Sequence, residues 1–345
     1  MGKMKKWYIE KGDQGDVVLS TRIRLARNLE AYPFPARLDA QQKKKVCAEI
    51  CEAVQSDGTG TFRCIDMASL TPSQAVSLAE RHLISPEFTT DREGRALLLT
   101  EDESVSIMLC EEDHIRLQVM QAGLALEEAY DIADKIDTML DKRLQYAYDE
   151  RIGYLTQCPT NLGTAMRASV MLHLPALDAT GRISSLAATV SKLGLVIRGA
   201  YGEGSQARGS IFQISNQITL GITEQAAIDN LRAITLQIVA QERAAQEQLL
   251  KNEAEIDKIW RARGVLSSAR LLSTDEFMEL ISLVRMGSVR DVFPLNVEKI
   301  NELIVRMQPA TINAANGSNL TPAQRDAIRA EAVRTAILTQ GDDRV

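Results

Sequence analysis

A chain of 345 residues that is 45% hydrophobic can bury a sizeable core, and its length suits two domains. Its net charge of −6 argues against a general nucleic-acid binder, which is ordinarily basic. No apolar run reaches membrane-spanning length and no secretory signal pattern opens the sequence, so a cytoplasmic protein with no membrane and no direct nucleic-acid partner is expected. The five cysteines (47, 51, 64, 110 and 158) form an odd set without zinc-like pairing. Reduced thiols and no metal-ligating set are therefore expected. Arginine outnumbers lysine 27 to 13, and its planar fork is the better grip on phosphate and carboxylate.

Residues 1–16 are polar and contain glycine, which predicts a mobile N-terminal arm. Ser20-Thr21-Arg22-Ile23-Arg24 alternates like a strand, so Arg22 and Arg24 point the same way, either as a clamp for phosphate or as two solvated arginines on an exposed face. Arg27 falls outside the alternation and is left unassigned. Asp39 caps a helix over about 40–55, and Thr71-Pro72 starts another that runs to about Leu83. Residues 95–120 change to a period of two, a strand meander interrupted by Glu111-Glu112-Asp113-His114. Apolar positions at Ile132, Ile136, Leu140, Leu144 and Ala147 predict a helix over 126–150. Strands near 166–174, 195–199 and 210–217 bracket a short helix at about 183–193. Thr223 caps a long helix into the 250s.

Beyond about residue 250 no strand signal remains. Ser273-x-x-Glu276 and Thr321-x-x-Gln324 read as capping boxes, and Gly287 and Pro309 mark helix ends. The charged stretch 251–263 has no proline and predicts a continuous helix across the boundary. The expected division is an arm at 1–16, a catalytic domain at 17–250 and a helical regulatory domain at 251–345.

The most informative run is Cys158-Pro159-Thr160-Asn161-Leu162-Gly163-Thr164. It matches the Cys-Pro-Ser/Thr-Asn-Leu/Ile-Gly-Thr signature of the guanidino (phosphagen) kinases, and the chain resembles that family in five segments. The resemblance implies an α+β fold: an antiparallel sheet flanked by helices, followed here by a C-terminal all-helical domain. It implies phosphoryl transfer from ATP to a guanidinium group, with Mg2+ held through the nucleotide. Glu112, in a segment similar to the family's Asn-Glu-Glu-Asp-His-Leu-Arg, would hold the guanidinium and act as base. Glu203, in the loop Arg198-Gly199-Ala200-Tyr201-Gly202-Glu203, would be the second carboxylate, and Cys158 a supporting group. Nucleotide binding would fall to Ser20, Thr21, Arg22, Ile23 and Arg24, to His82 at the base, to Arg116, to Arg167-Ala168-Ser169-Val170-Met171, and to the 198–203 loop, with Arg198 on the migrating group. The glycines at 199, 202, 204 and 209 suit a closing lid. No Walker or Asp-Phe-Gly motif occurs, so arginines have to do the work of both.

Within the family, the resemblance is closest to the bacterial protein arginine kinases. Small-molecule phosphagen kinases carry a helical domain before the Ser-x-Arg-x-Arg strand. Only 19 residues precede Ser20 here, which implies a site open to an arginine on a protein. Arg325-Asp326-Ala327-Ile328-Arg329-Ala330 matches the Arg-Asp-x-x-Arg-Ala motif of those kinases, which resembles a phosphoarginine pocket with an allosteric role. The implied partners are protein substrates, the activator McsA, the repressor CtsR and the ClpC–ClpP protease; a homodimer is left open. The implied biology is marking of proteins for proteolysis and regulation of the heat-shock or stress response. The alternatives are a kinase for free arginine or another guanidino metabolite, and a non-catalytic phosphoarginine-reading adaptor.

Overall fold

The computed structural model describes residues 6–55, 62–200 and 207–339. Its strands are β1 (Val18–Arg27), β2 (Phe62–Asp66), β3 (Ala96–Thr100), β4 (Val105–Leu109), β5 (Ile115–Ala122), the short pair β6 (Tyr148–Asp149) and β7 (Gly153–Tyr154), β8 (Met166–His173), β9 (Leu195–Gly199) and β10 (Ile211–Asn216). Eight of them form one sheet in the order β2-β3-β4-β5-β1-β8-β10-β9. Every pairing in it is antiparallel.

The catalytic part also holds helices α1 (Ala40–Gln55), α2 (Pro72–Glu80), α3 (Leu126–Asp141), α4 (Pro175–Ala179), α5 (Ile183–Ser191) and α6 (Glu224–Leu249). Alternation gives the sheet two unlike faces. Ile23, Leu25, Leu117, Val119, Ala168, Val170 and Ile214 fill one of them and pack in the main core. The helices α3 and α6 cover that face. On the other face, Leu97, Leu99 and Met108 pack with Leu78 of α2. Met171 and Ile211, at the far ends of β8 and β10, pack with the C-terminal helices.

Those helices are α7 (Glu253–Ser268), α8 (Thr274–Val289), α9 (Val297–Arg306), α10 (Pro309–Asn316) and α11 (Pro322–Leu338). They are docked on the catalytic part. His173 Nε2 lies 2.8 Å from Ser282 Oγ, and the buried Arg285 donates to the carbonyls of Gly15 and Asp16 at 2.7 Å each. Glu80, the last residue of α2, accepts from the Ala310 and Thr311 amides at 2.9 and 2.7 Å. Its carboxylate supplies the cap that α10 lacks in its own sequence.

The structure departs from the sequence reading in four places. Residues 6–16 are packed, not a mobile arm: Trp7 and Tyr8 are buried, and Asp16 pairs with Arg243 at 2.6 Å. Their partners are remote in sequence, so local polarity did not reveal them. Helix α3 stops at Asp141, well short of 150. The chain breaks between α6 and α7, where Asn252 Oδ1 accepts from the Ala254 amide at 3.0 Å, so no continuous helix crosses the boundary. Gly287 lies inside α8, where a Cβ would meet Ile259 at 2.6 Å and Phe293 at 2.8 Å. It is there for close helix packing, not as a stop signal.

Candidate active site

The strand register decides where the arginines go. Arg24 lies opposite Arg167 and Arg22 opposite Ser169. On the other side of β1, Arg24 faces Gln118 and Ala26 faces Arg116. Gln213 of β10 faces Arg198 of β9. Arg22, Arg24, Arg116, Arg167 and Arg198 therefore share the face that the main core leaves free, between the apolar patches under α2 and under the C-terminal helices.

These guanidinium groups repel one another. Burial, then Arg116 and Arg167, push the Arg22 pKa down to about 10. Burial, then Arg116, Arg22 and Arg167, push Arg24 well below its ordinary value. Arg167 is lowered by burial and by Arg198 and Arg116, while Cys158 and Glu112 act the other way. Among the described residues only Arg116 of the five makes an ion pair, with Glu111. Arg22 is held by neutral acceptors, Ser169 Oγ at 3.2 Å and Gln213 Oε1 at 2.9 Å. The buried Arg167 Nε has no hydrogen-bond partner among the described residues. Crowded, under-neutralised cations on one face of a sheet are a site for a polyanion. A triphosphate fits this donor set.

The acidic turn sits at the end of β1 where Arg27 pairs with Ile115. Burial works to raise Glu111, but Arg116, the Glu112 amide and Ser85 outweigh it and hold that carboxyl below its ordinary value. Ser85 Oγ donates to Glu111 at 2.7 Å. Glu112 is only half-buried and makes no side-chain hydrogen bond to a described residue. Burial and the negative charge of Asp113 raise its carboxyl. It opens onto a cleft of about 720 Å³ that Glu111, Arg116, Lys43, Arg95 and Gln157 also line. A carboxylate raised in this way beside a cation cluster can orient a guanidinium and accept a proton.

Cys158 starts the loop beside this turn, with its Sγ 3.0 Å from Thr160 Oγ1. Thr219 Oγ1 fixes that loop by donating to the carbonyls of Thr160 and Leu162 at 3.0 and 2.7 Å. At the opposite end of β1, His82, Ser20 and Met171 line one narrow apolar crevice with Trp7 and Tyr8. Burial and Arg22 push the His82 imidazole down to about 3, so it is neutral.

Several expected contacts are corrected by this geometry. Thr21, Ile23, Ala168 and Val170 point to the other face of the sheet, because they alternate with Arg22, Arg24, Arg167 and Ser169 along their strands. Ile23, Ala168 and Val170 belong to the core, and Thr21 Oγ1 donates to the Gly123 carbonyl at 2.7 Å. Gly199 pairs with Phe212 at the end of β9 and Ala200 packs beside the C-terminal helices. Tyr201, Gly202, Glu203 and Gly204 lie outside the described residues. Arg27 is structural: it is buried, bonded to Asp137 at 2.7 and 3.0 Å and stacked 3.5 Å from the Tyr154 ring. His114 is likewise structural, accepting from the Leu29 amide at 3.0 Å and bonded to the Pro33 carbonyl.

In the helical part, Arg329 is fully buried. It donates to the carbonyls of Met307 (2.9 Å) and Leu272 (2.6 Å), to Asp326 (2.7 Å) and to Thr274 Oγ1 (2.9 Å). It staples the α7–α8 connection and the end of α9 to its own helix and is not a surface group awaiting a ligand. Ala330 is buried as well. Arg325, Asp326 and Ile328 are half-buried and Ala327 is exposed, so any ligand at this motif meets these four.

Sequence reasoning missed Glu111, Ser85, Gln213 and Asn28 as parts of the site. Gln213 alone carried a usable signal, because it shares the strand parity of Arg22.

An arginine-lined antiparallel sheet with a carboxylate turn and a Cys-Pro-Thr-Asn loop defines a guanidino phosphotransferase. Residues 42–245 match the catalytic domain described as ATP:guanido phosphotransferase, C-terminal catalytic domain. Residues 252–344 match the protein-arginine kinase McsB C-terminal domain. The chain is 46% identical over 327 residues to the protein-arginine kinase of Caldanaerobacter subterraneus, covering 93% of this chain and 97% of that one. It is 44% identical to that of Brevibacillus brevis, covering 95% and 94%. The chain belongs to the ATP:guanido phosphotransferase family and, within it, to the protein-arginine kinases of the McsB type. Among solved structures, lombricine kinase is similar with a TM-score of 0.61, 24% identity and 69% of each chain covered. The substrate-free duplicated taurocyamine kinase of Schistosoma mansoni gives 0.59 at 23% identity, covering 80% of this chain and 43% of that one. These two speak to the fold alone.

Proposed function

We propose that this protein transfers the γ-phosphoryl group of ATP to arginine side chains of other proteins. The observation that carries the reading is the row of five mutually repelling guanidinium groups running from the Glu112 turn toward His82. It supports an ordered layout along β1. The acceptor arginine lies at Glu112 and Cys158, the phosphates lie over Arg24, Arg116, Arg167 and Arg22, and the base lies near Ser20 and His82. From Ser20 to Arg24 a strand rises about 14 Å, enough to spread a nucleotide along it.

In the transfer the terminal P–O bond of ATP breaks and a P–N bond forms to the acceptor guanidinium. ADP leaves, and Glu112 takes the proton from the attacking nitrogen, with Glu203 as the second carboxylate around that group. The arginines neutralise charge that spreads over the migrating oxygens, which is most of what phosphoryl transfer asks of a protein. Mg2+ would be held by the nucleotide's own phosphate oxygens and would help to neutralise their charge. Among the described residues no group of three or more His, Cys, Asp or Glu could hold a metal ion, and bound nucleotide phosphates are the usual ligands for this ion. The helical part reads phosphoarginine through Arg325 and Asp326. The phosphorylated proteins are marked for the ClpC–ClpP protease, with CtsR as a substrate in stress regulation and McsA as activator. A cytoplasmic setting is part of this proposal. Separately, no helix among the described residues is long and apolar enough to cross a membrane.

The test is incubation with ATP and Mg2+, supplying an unfolded protein in one reaction and free arginine in another. Acid-labile phosphate on the protein and little on free arginine is the expected result; the reverse pattern would make this a metabolite kinase. A second prediction concerns the clamp. Replacing both Arg22 and Arg24 by alanine should weaken ATP binding by about 100-fold or more, since a charged hydrogen bond contributes about 1.5–3 kcal/mol. Calorimetry measures it, and an unchanged dissociation constant would remove these arginines from the nucleotide site.

A further inference from the structure

We propose that Asp113 is a positioning residue for phosphoryl transfer, strapping the loop that carries Cys158 to the turn that carries Glu112. The proposal rests on the reading of Glu112 as the residue that holds the acceptor. Asp113 follows Glu112 directly, yet the two carboxylates have opposite surroundings. Glu112 opens onto the cleft, whereas Asp113 is buried, at 2% exposure. Its Oδ1 accepts from the Gln157 amide at 2.9 Å and from Asn28 Nδ2 at 2.7 Å.

Gln157 is the residue before Cys158. One carboxylate oxygen thus joins a backbone atom next to Cys158 to a side chain next to Glu112. Consecutive Cα atoms are about 3.8 Å apart, so the strap acts within one residue of each functional group. Asn28 completes it. Its Nδ2 also donates to the Leu155 carbonyl at 2.9 Å, and its Oδ1 accepts from the His114 amide at 2.9 Å. The end of β1, the acidic turn and the 155–158 segment are locked together by two side chains.

A buried carboxylate is costly unless it is hydrogen-bonded, and a backbone amide bonded to a charged oxygen is held more firmly than one bonded to a neutral one. The acceptor guanidinium has to meet Glu112 on one side and the Cys158 loop on the other. Holding those two surfaces at a fixed separation is worth more than either contact alone. A displacement of about 1 Å at a reacting group costs about 100-fold in rate.

The experiment compares wild type with Asp113→Ala and Asp113→Asn, using the full-length protein, ATP with Mg2+, and an unfolded protein as acceptor. Asp113→Ala is expected to lower kcat/KM for the acceptor by about 100-fold while the dissociation constant for ATP stays unchanged. Amide hydrogen exchange at Gln157 and Cys158 should speed up in the same variant. Asp113→Asn keeps one acceptor oxygen and the packing, so it should fold even if the alanine variant does not. It is expected to lose about tenfold in kcat/KM, with intermediate exchange at Gln157. Unchanged exchange at Gln157 in either variant would overturn the strap. Faster exchange with undiminished kcat/KM would overturn the positioning role. A shift in the Mg2+ concentration needed for activity, in Asp113→Asn, would assign the carboxylate to the metal-bearing nucleotide and overturn the proposal. Full activity of Glu112→Gln would instead remove the underlying reading of the acceptor site, whatever the exchange data show.

Discussion

Glu112→Gln should keep the fold and lose about 10²–10⁴-fold in phosphoryl transfer, the range that a positioned acid–base group supplies. Glutamine has the same shape, and no described residue hydrogen-bonds the Glu112 side chain, so no structural bond is broken. What disappears is the negative charge facing the acceptor. An arginine guanidinium is protonated at neutral pH, with a pKa above about 12, and is a poor nucleophile until its proton has somewhere to go. The pH dependence gives an independent check. Burial and Asp113 raise the Glu112 carboxyl. A base whose pKa is raised takes up its proton at a higher pH than usual, so transfer should fall off on acidification earlier than an ordinary carboxylate would allow. That acid limb should be missing from the residual activity of the glutamine variant. Near-normal turnover by a folded Glu112→Gln protein would end the assignment.

The second large effect is on stability. Arg329→Ala should destabilise the helical part by about 3–5 kcal/mol, the usual cost of removing one partner from a buried charged network. Arg329 binds the α7–α8 connection at Leu272 and Thr274, the end of α9 at Met307, and its own helix at Asp326. Alanine leaves the Met307 and Leu272 carbonyls without this buried donor and the half-buried Asp326 carboxylate without its partner. Chemical denaturation, followed by a signal from Trp260 on α7, would measure the loss. Arg325→Ala should cost far less, because Arg325 is half-buried and, among the described residues, donates to the Leu320 carbonyl alone. If the two variants unfold alike, Arg329 is not the staple its contacts describe.

The contrast between these arginines shows what the sequence can and cannot carry. Arg22 and Arg24 were legible because strand alternation is local: two residues apart means one face. The Cys-Pro-Thr-Asn run and the acidic turn were legible through resemblance, which preserves residue identity but not surroundings. Arg325 and Arg329 enter one expected pocket through the Arg-Asp-x-x-Arg-Ala resemblance, which reports residue identity and not what covers each side chain. The carbonyls that bury Arg329 come from residues 22 and 57 positions away. Trp7 and Tyr8 failed in the same manner. Read locally they head a polar segment, but Met120 and Val305 cover them in the fold. Asp113 escaped notice because its neighbours Glu111 and Glu112 have the same chemistry, and only the register of distant loops separates a strap from a base.

The two parts of the chain also meet away from the break at residues 250–252: Glu80, two residues before His82, caps α10.

The account stands most directly on where the phosphate goes. An unfolded protein incubated with this enzyme, Mg2+ and ATP labelled in the γ-phosphoryl group can be digested at neutral pH and mapped by peptide mass spectrometry. The account predicts label on arginine side chains, in proportion to the ADP formed. Label confined to serine, threonine or histidine, or ADP formed with no label on the protein, would contradict it.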